Sequence, residues 1–318
     1  MRKDKVRVAV VGVGHLGRYH VEKYLSMPSV DLVGIVDSDT GRLNDMSRQY
    51  NVKSYKHHKD LMGKVDAITL SVPTETHFLI ARDFLSKGIH ILIEKPITYR
   101  VQDADDLLRI AHDNNVLLQV GLVERFNPAV IKMESLVQSP LFIESHRMNL
   151  FTVRGTDVDV VLDLMIHDID IILHMVQSEI KDIQAVGMRV ITDYTDIANA
   201  RITFENGVAA NLTASRVSGK VLRKIRVFQQ DAYISADCGK RRLTLIRHDH
   251  ENKDASGFPC LITDQMDFKN SDPLADEVKA FIESVQNYSQ PVVSGQDGRR
   301  ALEVALSIID QINSKIDT

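Results

Sequence analysis

Cysteine is almost absent: Cys238 and Cys260 are the only two among 318 residues. Two cysteines cannot build a disulfide framework, and no CxxC pair is available for a structural zinc. A reducing compartment is expected, and with it a cytoplasmic protein. Long apolar runs are also missing. No stretch approaches the roughly 18 uncharged apolar residues that a membrane span needs. The most apolar region, 158–176, is interrupted by Asp159, Asp163, His167, Asp168, Asp170 and His174. The basic start at Met1 leads only into Val8–Val11 before Gly12, too short for a signal peptide. A strong excess of one charge is lacking as well. The formal net charge of −4 gives no support for a nucleic-acid or membrane-surface partner. Repeats and low-complexity tracts are absent.

What remains is ordinary globular composition, 44% hydrophobic and 26% charged. The length predicts two domains, at roughly 150 residues each. Up to about Val123, apolar runs alternate with amphipathic stretches. Val6–Val11, Leu32–Val36, Ala67–Val72, His90–Ile93 and Leu117–Val120 read as strands covered on both faces. Thr76–Ser86 and Val101–Asn114 read as helices, stopped by Gly88 and by Asn114-Asn115. This alternation predicts βαβ units, a parallel doubly wound sheet and a dinucleotide-binding domain over 1–123.

After Val123 the pattern becomes period-two. Ala198, Ala200, Ile202 and Phe204 alternate with polar residues, Asn206-Gly207 marks a tight turn, and Val208, Ala210, Leu212 and Ala214 resume the alternation. Further strands are expected at Ile225–Phe228, Tyr233–Ala236 and Leu243–Ile246, and closing helices at about 274–287 and 296–314. The second domain, 124–318, is expected to be α+β with a large open, mainly antiparallel sheet. Few helices are available to cover that sheet, so a homodimer or homotetramer through it is expected.

Gly12-Val-Gly-His-Leu-Gly17 is GxGxxG between a predicted strand and a predicted helix, and Asp37 follows Gly17 by 20 residues at the next strand's end. That context fits a dinucleotide site. Gly12 permits the turn, Gly14 the approach of a pyrophosphate, and Gly17 helix–sheet packing. The helix N-terminus, with His15 and Leu16, supplies N–H donors. Asp37 would accept from a ribose diol and repel a 2′-phosphate, which favours NAD, although Arg42 nearby softens that preference. A glycine turn without a ligand, or Asp37 as a plain helix cap, are the competing readings.

Lys95, in Glu94-Lys95-Pro96, lies at a parallel strand's C-terminal end, where such folds bind ligands. A surface lysine is the alternative. Asp163, His167, Asp170 and His174 recur at spacings of four, three and four beside the apolar stripe of Leu162, Ile166, Ile169 and Leu173. A carboxylate can orient a histidine that titrates near neutrality there. A structural histidine is the competing reading. No metal is expected, because no cysteine or third convergent segment completes a site.

Together these segments resemble the Gfo/Idh/MocA oxidoreductases over essentially the whole chain. The resemblance rests on the GxGxxG loop followed by His20, on Val72-Pro73-Thr74 with His77, on Glu94-Lys95-Pro96, and on Arg125-Phe-Asn127-Pro128. It extends to the Asp163-x-x-x-His167-x-x-Asp170 helix and to the closing 291–298 segment. It implies an NAD-dependent dehydrogenase acting on a CH–OH group, with Lys95, Asp163 and His167 around the reacting carbon. Ser71, Pro73, Thr74, His77, Glu94 and Lys95 would join the glycine loop and Asp37 at the cofactor. Arg125, Asn127, Asp163, His167 and Arg216 would face the substrate. Where the family often carries Gly-Gly, this chain has Val158 and Asp159, so a close backbone approach at these positions is expected to be lost and the substrate contacts at that end to differ from those of inositol dehydrogenases.

The 157–170 string, beginning at Asp157, and Ser215-Arg216-Val217-Ser218 resemble one branch in particular. Its members oxidise the 3-hydroxyl of UDP-N-acetylglucosamine. Arg216, Lys220, Arg223, Lys224 and Arg226 put five basic residues within eleven, enough to hold a diphosphate, or alternatively to mark a solvated strand edge. A free polyol or sugar as substrate, and a non-catalytic NAD-sensing protein, are the alternatives.

Overall fold

The computed structural model describes residues 5–152, 155 and 158–316; Asp157 falls outside them. The elements run β1 (Val6–Val11), α1 (His15–Leu25), β2 (Val30–Val36), α2 (Thr40–Tyr50), β3 (Ser54–Tyr55), β4 (Ala67–Leu70), α3 (His77–Leu85), β5 (His90–Glu94), α4 (Val101–Asp113), β6 (Leu118–Gly121), α5 (Pro128–Glu134) and β7 (Pro140–Met148). They continue with α6 (Ile166–Val176), β8 (Ile180–Met188), β9 (Ile197–Phe204), β10 (Ala209–Ser215), β11 (Leu222–Gln229), β12 (Ala232–Asp237), β13 (Arg242–Lys253), β14 (Pro259–Asp267), α7 (Pro273–Asn287) and α8 (Gly295–Ile316).

The first sheet has six strands in the order β3-β2-β1-β4-β5-β6, and every pairing is parallel. The apolar runs are the strands because both faces are covered: Val8, Val10, Ile35, Ile68, Leu70, Ile91, Leu92 and Ile93 are fully buried. The strand order reverses between β1 and β4, the position where such sheets open a ligand crevice beyond their carboxyl ends. Gly88, with φ of 73°, follows α3, and Asn115, with φ of 52°, follows α4, as left-handed residues that end helices.

The chain forms two compact units. One comprises the residues up to Val123 together with Leu274–Leu302, and the other Glu124–Pro273 with the residues from Glu303 onward. The expected second domain, 124–318, therefore loses a segment to the first. The physical reason is α7. Its Val278, Phe281, Ile282 and Val285 are buried in one cluster with Val6, Val8, Val10 and Ile35. Removing that stripe from water draws the helix onto the parallel sheet.

The second sheet has eight strands in the order β14-β13-β12-β11-β7-β10-β9-β8. Its pairings are antiparallel except for β7 with β10. Helix α6 lies against β7 and β10. Ala198, Ala200, Ile202 and Phe204 of β9 and Ala210, Leu212 and Ala214 of β10 are fully buried. The expected Asn206-Gly207 turn joins these strands, with φ of 88° at Gly207. The opposite face is mixed. It carries Val186 and Met188, each 56% exposed, and a row of three rings. Phe142 and Phe228 lie 5.6 Å apart, and Phe228 and Tyr233 5.2 Å.

Candidate functional site

The loop after β1 is built for close approach. Gly12 has φ of 87°, and a Cβ there would fall 2.2 Å from the Ser71 carbonyl oxygen. A Cβ on Gly17 would fall 1.8 Å from the Gly12 oxygen. At Gly14 it would meet only Arg42 Nη1, at 3.7 Å, so this backbone faces open space. Gly14 is the N-cap of α1, where no side chain caps the helix and no acidic residue occupies the first turn. The first-turn N–H groups and the positive end of the helix dipole suit a pyrophosphate. His15 and Leu16 contribute that first turn; the His15 ring is exposed and sits edge-on to Tyr19 at 5.4 Å.

Asp37, at the end of β2, is buried. Its Oδ2 accepts the Val13 N–H at 2.8 Å and its Oδ1 the Asp39 N–H at 2.8 Å, so one carboxylate ties the glycine loop to the turn after β2. The cap of α2 is Asp39, which accepts from the Arg42 N–H. Arg42 Nη1 lies 3.3 Å from Asp37 Oδ2. Ligand pockets usually measure about 300–1,000 Å³, and here a cavity of 720 Å³ is lined by Gly12, Gly14, Asp37, Arg42, Ser71 and Pro73. Lys56, His57, His58 and Thr76 also line it and were not anticipated. The first three follow β3, which is only two residues long and carries no readable apolar run. Their position past the end of a parallel strand is the signal that would have found them.

Thr74 opens a short 3-10 turn, Thr74–Thr76. His77 is placed differently from the expectation of a cofactor contact. It is 1% exposed, with Nε2 2.9 Å from the Val72 oxygen and Nδ1 3.0 Å from the Pro96 oxygen. Burial pushes its pKa down, against the pull of those carbonyls. It clasps two ligand-facing turns from behind. Glu94 ends β5, and its Oε1 lies 2.8 Å from His20 Nε2. Lys95 follows, half-buried, and the Lys95–Pro96 peptide is cis.

In the second unit α6 is preceded by a π-helical turn, Val161–Met165. Such turns are rare and gather at functional sites. The expected stripe of four residues does not share one environment. Asp170 is buried against Arg125, at 3.2 Å, and His174 is exposed. Between Val160 and Leu173 only Asp163 and His167 are partly exposed, while every other side chain is buried. Positions 158 and 159 carry side chains, and a close backbone approach to the aspartate comes from Gly155 instead: with φ of 73°, it lies so near that a Cβ on it would fall 2.9 Å from Asp163 Oδ2. Asp159 serves as a helix cap, accepting the Val161 N–H at 3.0 Å.

Three expected substrate contacts have other work. Asn127 caps α5 through the Ala129 N–H, and its Nδ2 donates to Glu124 and to the Cys238 oxygen, each at 3.0 Å. Arg125 is buried, beside Asp170 and Glu134. Arg216 is 4% exposed; it donates to the carbonyls of Gly155 and Val158 and lies 3.6 Å from Asp196. It braces the Gly155 and Val158 backbone beside Asp163. The basic cluster does not converge either. Alternation along β11 sends Arg223 toward Glu124, at 4.0 Å, and turns Lys224 and Arg226 to the opposite face, where Arg226 lies 3.3 Å from Glu144.

A parallel sheet in this strand order, a glycine loop whose backbone a ligand can approach closely, and an anchoring carboxylate after β2 define a dinucleotide-binding domain. Residues 6–122 match the oxidoreductase family with an NAD-binding Rossmann fold, GFO/IDH/MocA, and residues 140–235 match the GFO/IDH/MocA C-terminal domain. The chain belongs to this family, and it is an NAD(P)-using dehydrogenase. It is 34% identical to UDP-N-acetylglucosamine 3-dehydrogenase of Acidithiobacillus ferrooxidans over 95% of this chain and 96% of that one. The solved structure of that enzyme superposes with a TM-score of 0.91 at 32% identity, covering 98% of each chain. Myo-inositol 2-dehydrogenase of Thermotoga maritima is 26% identical over 93% of each chain. No helix among the described residues is long and apolar enough to cross a membrane.

Proposed function

We propose that this protein is an NAD-dependent dehydrogenase of a nucleotide sugar that oxidises the 3-hydroxyl of UDP-N-acetylglucosamine to a ketone. The observation that carries the reading is the full-length similarity to an enzyme of that name. It is supported by the retention of Lys95, Asp163 and His167 as partly exposed polar groups in otherwise buried segments. The Gly12–Gly17 loop and Asp37 would hold the cofactor, which would supply a hydride acceptor there. His167 takes the hydroxyl proton, Asp163 orients the imidazole, and Lys95 holds the developing alkoxide. General acid–base groups of this kind contribute about 10²–10⁴-fold in rate. Asp37 sets the preference for NAD by meeting the ribose diol, with Arg42 leaving some room for NADP. The protein acts as a homodimer or homotetramer through the mixed face of the second sheet, in the cytoplasm.

The test is NADH formation with UDP-N-acetylglucosamine beside UDP-glucose, free N-acetylglucosamine and myo-inositol. Turnover with UDP-N-acetylglucosamine well above the rest supports the reading. Turnover with inositol alone replaces it with a polyol dehydrogenase, and the divided basic cluster would agree with that outcome.

A further inference from the structure

Three ionisable side chains meet inside the first unit, behind the ligand-facing turns. They are His20 of α1, Glu94 at the end of β5 and Glu277 of α7. One nitrogen or oxygen from each lies within 4.8 Å of the others. His20 and Glu277 are 0% exposed, and the Glu94 side chain is 12% exposed. His20 Nε2 meets Glu94 Oε1 at 2.8 Å. Neither carboxyl oxygen of Glu277, nor His20 Nδ1, has a hydrogen-bond partner among the described residues.

The groups facing Glu277 can be named element by element. From α1 come His20 and Tyr24; the Tyr24 phenol is bonded to Thr69 of β4 at 2.6 Å, and burial pushes its pKa up, so it stays neutral. From β5 comes Glu94. From β6 comes Gln119, whose Nε2 donates to the Glu277 backbone oxygen at 3.3 Å. None of these is a lysine or arginine. A carboxylate without a partner in such a place is unstable, and it takes up a proton instead. A second carboxyl group this close adds to the cost of ionising Glu277. Glu277 then carries the proton, while Glu94 stays bonded to His20 at 2.8 Å.

We propose that His20, Glu94 and Glu277 form a buried site that holds one proton on Glu277, which acts as a positioning residue. Glu277 in its acid form stands beside Glu94, which is fixed on His20 at the position preceding Lys95. The link to Lys95 rests on the function proposed above; the proton site itself does not. Burial and the Glu94 charge both drive the Glu277 pKa well above the ordinary carboxylic range. A raised folded-state pKa stabilises the fold at low pH, and that contribution drains away as pH rises past the unfolded value.

The test compares wild type, Glu277→Gln and Glu277→Leu as full-length protein. Infrared spectra of the wild type near neutral pH should show a protonated-carboxyl C=O band that Glu277→Gln lacks. Glutamine imitates the acid form, so its Tm advantage over wild type should grow as pH rises from about 5 to 9. Glu277→Leu should shift the pH profile of kcat, and Glu277→Gln should keep the wild-type shape. No acid band, or a Tm difference that is constant with pH, overturns the proton site. A stoichiometric divalent metal in purified wild type that disappears in Glu277→Gln overturns it in favour of a cation. An unshifted Glu277→Leu profile with the band present overturns the positioning role alone. If wild type oxidises no sugar or polyol, the spectra and melting curves still decide the proton site separately.

Discussion

Gly155 presses its backbone against the Asp163 carboxylate, so that a Cβ on the glycine would stand 2.9 Å from Oδ2. The family-typical glycines nearer the aspartate are Val158 and Asp159 here, and the close approach comes from further upstream. Arg216 holds this arrangement by donating to the Gly155 and Val158 carbonyls. Gly155→Ala should displace the carboxylate and strain a left-handed residue. A misplacement of about 1 Å can cost on the order of 10²-fold in rate, so kcat should fall about tenfold or more while the KM for NAD holds. Steady-state kinetics with saturating NAD checks this; an unchanged kcat removes Asp163 from the reaction.

Asp37 binds the Val13 N–H and the Asp39 N–H at 2.8 Å each. Asp37→Ala should raise the KM for NAD and narrow the preference over NADP, because the repulsion of a 2′-phosphate is gone while Arg42 remains. It should also cost about 1–3 kcal/mol of stability through the orphaned N–H groups. Kinetics with both cofactors and thermal melting separate the two effects. A wild type that already prefers NADP tenfold contradicts this role.

Asp196 gives a pH-dependent stability. Burial opposes its ionisation, but the N–H groups of Ile191, Thr192 and Val190 overcome that cost and bring its carboxyl down to about 2. A depressed folded-state pKa stabilises the protein above the unfolded value of about 4. The contribution should disappear as pH falls from about 4 to 2. Asp196→Asn should melt lower than wild type at neutral pH, with the gap closing in acid. A gap that does not change with pH contradicts the account.

The mixed face of the second sheet, with exposed Val186 and Met188 and the Phe142–Phe228–Tyr233 row, should be covered by a second copy. Light scattering should return at least twice the 35.8 kDa chain mass at micromolar concentration, and a Met188→Glu substitution should lower it. A wild-type mass of one chain refutes the interface.

The parallel sheet was legible because its strands are apolar on both faces, so runs such as His90–Ile93 stand out. Strand β7 was not, because its inward positions include Ser145 and Arg147. These are bound to Asp168, and a buried polar network inverts the expected alternation. The short β3 offered no run, and α7 looked like part of its sequence neighbourhood until its apolar stripe found the first core. The glycine loop was readable because backbone geometry forces those glycines. The polar residues were harder. His77, Asn127 and Arg216 have residue types that suit ligands, yet each satisfies backbone groups in the fold, and a sequence does not distinguish the two uses. Glu277 was passed over because nothing local marks a glutamate as buried.

The most direct measurement of the central claim is isotope transfer from UDP-N-acetylglucosamine carrying deuterium at carbon 3. The account predicts that the deuterium appears in the reduced nicotinamide ring, detected by mass spectrometry. It predicts that His167→Asn and Lys95→Ala each slow this transfer by about 10²-fold or more, with NAD still bound and Tm little changed. Unlabelled NADH from that substrate, or no turnover of it beside brisk oxidation of a polyol, would contradict the account.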